Sequence, residues 1–302
     1  MGIGIGVLAT QYLWVGAVEG TTLGAVRMYP DPSESRIDLK TLHAGDMLAR
    51  IREMTVAVSQ GRKVEWVGAG FPGIVRNGVI EESPNLGQLK GLHVTDLLAA
   101  ELKSEGMDVP VVALNDADAI AAGIAATRGA LEKLIRVWYL GDGIGFGRYP
   151  LGDGVWEAGH SVVTLDPKER YCGCGGVGHL EGIMGNRAIR LRFLDLEPEE
   201  VFLAARNNED RAVGFVRLWH RALAAATASF IHLAGPGRFY FTGKNVGFLE
   251  LSLLRTHLET MVRMSPLQSF WLEILPPDDE TALIGAGVSA LRAVRQGLGN
   301  RE

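Results

Sequence analysis

The chain has 302 residues, 47% of them hydrophobic and 22% charged, with a net charge of −5 and a pI near 5.9. That length is ample for a buried core and points to two lobes, and the composition is that of a soluble globular enzyme. The acidic balance, with no Lys/Arg block and no basic stripe interleaved with aromatics, argues against nucleic acid and anionic membrane as partners.

The opening "MGIGIGVLATQYLWVGAVEG" is apolar but lacks a positive leading region and carries polar and glycine breaks. It therefore reads as strand, turn and strand over 3–9 and 12–18 rather than as a secretory signal. No run of eighteen apolar residues occurs, so no membrane span is expected. Helical spacing marks 38–60, and a strand over 64–73 then enters a Gly/Pro turn. A second helix covers 94–106, and a buried strand runs over 109–116. A small-residue helix over 117–129 can pack closely on a sheet, and a strand over 135–147 runs into a Gly-rich turn. The chain is then largely helical around 187–206 and 210–233, with a strand over 238–245 and a closing helix over 280–297. Strands alternating with helices imply a mostly parallel sheet with ligands at the carboxyl ends of its strands.

"LNDADA" ends a buried strand on Asn115 and Asp116, just before a helix. A carboxylate there can accept a proton from a substrate hydroxyl while the adjacent amide holds neighbouring oxygens. Taken alone, the pair reads as a helix N-cap. "GDGIGFG" sets Gly141 and Gly143 around Asp142, as a phosphate cradle or as a tight hairpin. Gly73 and Asn85 lie in turns whose polar groups suit a ligand, although Pro-Gly is also the ordinary mark of a turn.

The only two cysteines stand two positions apart in "YCGCGGVGHLE", which excludes a disulfide framework and agrees with a cytoplasmic location. "WEAGH" supplies Glu157 and His160 upstream, and His179 and Glu181 follow downstream. His160, Cys172, Cys174 and His179 make a donor set suited to tetrahedral zinc, and the intervening glycines let the backbone fold round one ion. With all four positions filled by protein, such a zinc is structural. The alternative is a pair of free thiols in a flexible loop.

Taken in order, "GAGFPGIVRNGVIEESPNL", "LNDADA", "GDGIGFG", "EAGH", "CGCGGVGHLE" and "ALIGAG" resemble the motif blocks of the ROK family (repressors, open reading frames and kinases). Its enzymes are sugar kinases. The resemblance implies an α/β, two-lobed ribonuclease-H-like (actin/hexokinase-like) fold with a central cleft. It expects a smaller lobe over 1–115, a larger lobe with the zinc loop over 116–290, and a helix end over 291–302 packing back on the smaller lobe. It assigns Asp116 as general base on a sugar hydroxyl, usually the 6-OH of a hexose. Asn115, Glu157, His160 and Glu181 would bind the other hydroxyls, helped by Gly73 and Asn85. His160 would also bind zinc, which orders the loop bearing Glu181. His179 stands where the family has a third cysteine, an exchange that zinc tolerates.

On the nucleotide side, the resemblance places Gly6, Gly141, Asp142, Gly143 and Gly243 in the motifs that bind ATP and Mg2+. Here the chain departs from the pattern of the family it resembles. Where the family opens Asp-x-Gly-Gly-Thr, this chain has Gly4, Ile5, Gly6, Val7 and Leu8, and the usual Thr of the second motif is Asp142. In one reading Asp142 replaces the missing carboxylate, supports Mg2+, and the protein is a hexose kinase. In the other, ATP chemistry is lost and the protein is a sugar sensor, or an enzyme of other sugar chemistry. A DNA-binding repressor is disfavoured because no helix-turn-helix precedes the first strand. A homodimer is the family's usual assembly.

Overall fold

The computed structural model describes residues 2–31, 38–131, 133–152 and 154–297. The chain divides into two compact units: 1–135 with 147–155 and 278–302, and 136–146 with 156–277.

In the first unit, β1 (Ile3–Ala9), β2 (Leu13–Glu19) and β3 (Thr22–Tyr29) form an antiparallel meander. Helix α1 (Ala44–Ser59) leads to β4 (Val64–Phe71), which pairs parallel with β1. A small hairpin of β5 (Ile74–Arg76) and β6 (Val79–Glu82) precedes α2 (Val94–Ser104). Then β7 (Val111–Asn115) pairs parallel with β4, giving the strand order β3-β2-β1-β4-β7. This is the ribonuclease-H-like sheet that the motif blocks imply. It is mixed rather than mostly parallel, because the connections on either side of β2 are too short for anything but antiparallel pairing.

The alternation in "GIGIGVL" has a packing cause. Ile3, Ile5 and Val7 join one core with Met47, Leu48 and Ile51 of α1 and Leu98 and Leu102 of α2. The opposite face carries Gly4, Gly6 and Leu8, by the two-residue period of a strand. Against that face lies α9 (Asp279–Arg295), whose backbone comes so close that a Cβ on Gly6 would overlap the Leu283 carbonyl oxygen. Gly68 of β4 meets the Ala286 carbonyl in the same way. Helix α3 (Asp116–Thr127) packs beside α9, with Ala119 in a cluster with Ala282, Leu283 and Ala286.

Both α3 and α9 belong to the first unit, whose first segment runs to Ile135. The small side chains of α3 find their complement on α9, so both helices stay with the first sheet. Residues 298–302 lie outside the described residues.

The second sheet has the order β11-β10-β8-β9, from β8 (Ile135–Leu140), β9 (Ile144–Tyr149), β10 (Arg238–Thr242) and β11 (Trp271–Ile274). The second unit's helices are α4 (Glu181–Met184), α5 (Asn186–Arg192), α6 (Pro198–Arg206), α7 (Asp210–Ala234) and α8 (Leu251–Met261). Helix α7 buries Phe215, Trp219 and Leu223 at four-residue spacing into a core with Trp138, Phe239 and Phe241. Its fully buried His220 donates from Nδ1 to the Val216 carbonyl at 2.8 Å and accepts the Glu250 N–H on Nε2 at 2.9 Å. It thereby holds the start of α8, and burial lowers its pKa, which keeps the ring in the neutral form this geometry needs. Among the described residues, no helix is long and apolar enough to cross a membrane.

Candidate functional site

A short antiparallel pairing closes the cysteine loop. Val163 N–H donates to the Gly178 carbonyl at 2.8 Å, and Leu180 N–H donates to the Ser161 carbonyl at 3.0 Å. This brings His160, just before the pairing, against His179 within it. Inside the loop, Gly175 N–H donates to the Cys172 carbonyl at 3.1 Å and Gly176 N–H to Cys174 Sγ at 3.4 Å.

Cys172 Sγ lies 3.4 Å from both Cys174 Sγ and His160 Nδ1, and Cys174 Sγ lies 3.2 Å from His179 Nδ1. All four donor atoms fall within 4.8 Å of one another. A tetrahedral ion with bonds of about 2.0–2.3 Å has donor–donor edges of roughly 3.3–3.8 Å, so the residues present fit zinc in both spacing and donor type. Burial pushes the Cys172 thiol up to about 12, so its ligand form, the thiolate, calls for a cation beside it. Burial, and then His160, lower the pKa of His179, which favours the neutral imidazole that ligates metal. Glu157 Oε2 sits 3.8 Å from His160 Nε2, the ring nitrogen away from the thiols, and so helps to orient the ring.

Glu181 begins α4. Its Oε2 accepts the Ile144 N–H at 3.0 Å, and its Oε1 lies 3.6 Å from Cys172 Sγ. One carboxylate thus joins the cysteine loop to the end of the Gly141–Gly143 turn. Desolvation raises the pKa of Glu157, with Glu181 reinforcing the shift and His160 opposing it. The loop is also anchored by Arg192, which grips Glu169 through two bonds of 3.0 and 2.5 Å and lies 4.4 Å over the Tyr171 ring. The sequence reading missed this anchor, since its partners lie 23 positions apart on different local elements.

Gly141, Asp142 and Gly143 form the turn from β8 to β9, with Gly141 N–H donating to the Gly143 carbonyl at 3.1 Å. Asp142 accepts a bond from Asn186 Nδ2 at 3.0 Å and pairs with Lys244 Nζ at 3.2 Å. The Asn186 bond, the largest influence, holds its carboxyl below the ordinary range; burial opposes it, and Lys244 and Arg190 add to the lowering. Gly243, at φ +101°, lets the chain pass so near Leu140 that a Cβ would overlap that residue's carbonyl oxygen. Buried Asn245 donates to Asn186 Oδ1 at 2.6 Å and to the Gly141 carbonyl at 3.3 Å. Segment 243–245 is therefore clasped to the glycine turn. Asn186, Lys244 and Asn245 were not singled out as ligands by the sequence reading, which named Gly243 of this segment alone.

In the first unit, Asn115 caps α3 by accepting from Ala117 and Asp118 N–H groups at 2.8 and 3.3 Å. Its Nδ2 donates to the Gly73 carbonyl at 2.9 Å, bracing a turn in which Gly73 has φ +98°. Asn115 therefore acts as both cap and brace. Asp116 opens the helix, with Oδ1 accepting the Ala117 N–H at 2.9 Å, at the positive end of the helix dipole. Asn85 is exposed in a loop that Ser83 closes by accepting the Leu86 N–H at 3.2 Å. Gly6 lies in the interior of a central strand that continues through buried Val7 and Leu8 to Ala9, and it is pressed on α9.

The two sheets are those of the actin/hexokinase-like fold. The ROK family profile matches residues 39–291, and the chain belongs to the ROK family. It is 30% identical over 275 residues to a glucokinase of Thermotoga maritima, covering 80% of this chain and 84% of that one. Among solved structures it is similar to a ROK hexokinase from Thermus thermophilus, with a TM-score of 0.78 and 23% identity over 98% of this chain and 100% of that one. It is also similar to a ROK glucokinase from Streptomyces griseus in complex with glucose and AMPPNP, with a TM-score of 0.69 and 21% identity over 96% and 100% of the two chains.

Proposed function

We propose that this protein is a hexose kinase. The observation that carries the reading is the placement of Glu181, a carboxylate fixed at once to the cysteine loop and to the glycine turn. A relationship to a glucokinase at 30% identity supports the same reading. Asp116 takes the proton from a sugar hydroxyl as that oxygen attacks the γ-phosphoryl group of ATP. The new O–P bond forms while the bond to the bridging oxygen breaks, and ADP leaves. Glu157, His160 and Glu181 hold the remaining hydroxyls, and Asn115 keeps the Gly73 turn in place. Zinc held by His160, Cys172, Cys174 and His179 is structural and orders the loop bearing Glu181. Magnesium, when bound with ATP, neutralises charge on the phosphates. An ATP-dependent step of this kind belongs in the cytoplasm, and a homodimer is the expected assembly.

One observation favours a second reading. β1 offers neither the carboxylate nor the hydroxyl that the family motif carries, and Val7 and Leu8 at that place are buried. A sugar-binding protein without phosphoryl transfer would have this pattern. A coupled assay over a panel of hexoses with ATP and Mg2+ decides between them: the kinase reading expects turnover on at least one sugar. Calorimetric sugar binding without any turnover would establish the second reading instead.

A further inference from the structure

We propose that Lys244 anchors the phosphate chain of the phosphoryl donor, and that Asp142 holds its ammonium group until the donor arrives. The inference rests on the kinase reading. Lys244 stands on a rigid mount. Gly243 before it is wedged against Leu140, and Asn245 after it is buried and bonded to Leu140, Gly141 and Asn186. The mount sets the lysine beside the Gly141–Gly143 turn while its flexible side chain stays 56% exposed. Asp142, its partner at 3.2 Å, is 66% exposed. An ion pair so open to water is weak, so the ammonium can exchange a carboxylate oxygen for a phosphate oxygen at little cost.

Asp142 does not depend on that pairing. Its Oδ1 is held by Asn186 at 3.0 Å, and Arg190 adds a second positive charge nearby. A lysine that moves to phosphate therefore leaves a carboxylate still compensated. A compact charge on a long stem is well suited to a polyphosphate whose exact position is fixed by other groups.

The test is calorimetry of Mg-AMPPNP and of inorganic triphosphate with the full chain, its Lys244→Met variant and its Asp142→Asn variant. Lys244→Met is expected to weaken both ligands at least tenfold and leave sugar affinity unchanged. Asp142→Asn is expected to tighten metal-free triphosphate, because it frees the ammonium and removes a repelling carboxylate. Unchanged donor affinity in Lys244→Met, or weaker binding of metal-free triphosphate in Asp142→Asn, overturns the inference. If that occurs while the parent chain still phosphorylates a hexose, the kinase reading stands alone. If neither the parent chain nor Asp142→Asn binds either ligand, the kinase reading falls with it.

Discussion

Oε1 of Glu181 lies 3.6 Å from Sγ of Cys172, so a proposed sugar ligand and a proposed zinc ligand are in direct contact. The proposed metal set and the proposed sugar set consequently share one piece of architecture. Removing a donor should disturb both. His179→Ala is expected to lose bound zinc, measured by plasma emission spectrometry, and to weaken sugar binding by about 10–100-fold through disorder of the Glu181 loop. Retention of one zinc per chain in that variant would contradict the four-ligand set.

Arg192 and Glu169 offer a second route to the same loop, with side chains only 17% and 11% exposed. Removing one partner strands a shielded charge, which typically costs about 3–5 kcal/mol. Arg192→Met should lower the denaturation midpoint accordingly, and Glu169→Gln added to it should recover part of the loss. Additive effects in that double-mutant cycle would show that the pair is not coupled.

Gly6 separates packing from phosphate binding. Gly6→Ala drives a methyl group into the Leu283 carbonyl oxygen and should destabilise the chain by about 1–3 kcal/mol. Donor affinity of the fraction that remains folded should be unchanged in calorimetry. A selective loss of donor affinity at full stability would return Gly6 to the nucleotide site.

Asp118 carries a pH signature. Burial raises its carboxyl to about 6, only partly offset by the Arg148 N–H at 2.8 Å and the Arg148 charge. Because the folded-state pKa lies above that of the unfolded chain, the folded state binds the proton more tightly. Its contribution to stability is full below about pH 4 and is lost as pH rises through about 6. Asp118→Asn should remove this dependence, making the variant more stable than the parent at pH 7 by on the order of 2 kcal/mol, with the gap closing near pH 4. Thermal melts of both proteins across that range provide the check, and a gap independent of pH would refute it.

The elements that sequence patterns revealed are those whose burial is local and periodic. The apolar runs of β1, β4 and β7 and the helical spacing of α1, α7 and α9 fall close to their expected places. β3 and β11 were not anticipated, since they are short or half-exposed and lack a continuous apolar run. The His/Cys group was legible because three of its four members lie within eight residues and the residue types suit a metal. The packing of α3 on α9 was not, since it joins helices at distant places in the sequence. The Asp142–Lys244 pair spans 102 positions and leaves no local trace. Likewise, Ile/Gly alternation in β1 is visible as a pattern, but its cause is the backbone of α9.

The most direct measurement is transfer of labelled γ-phosphate from ATP·Mg2+ to hexose by the parent chain and by Asp116→Asn, with sugar affinity determined in parallel. Loss of a general base typically costs about 10²–10⁴ in rate. The account predicts phosphorylated sugar from the parent chain, a fall of that size in kcat for Asp116→Asn, and sugar affinity changed by no more than about threefold. Wild-type turnover in Asp116→Asn, or sugar binding by the parent chain without any transfer, would contradict it.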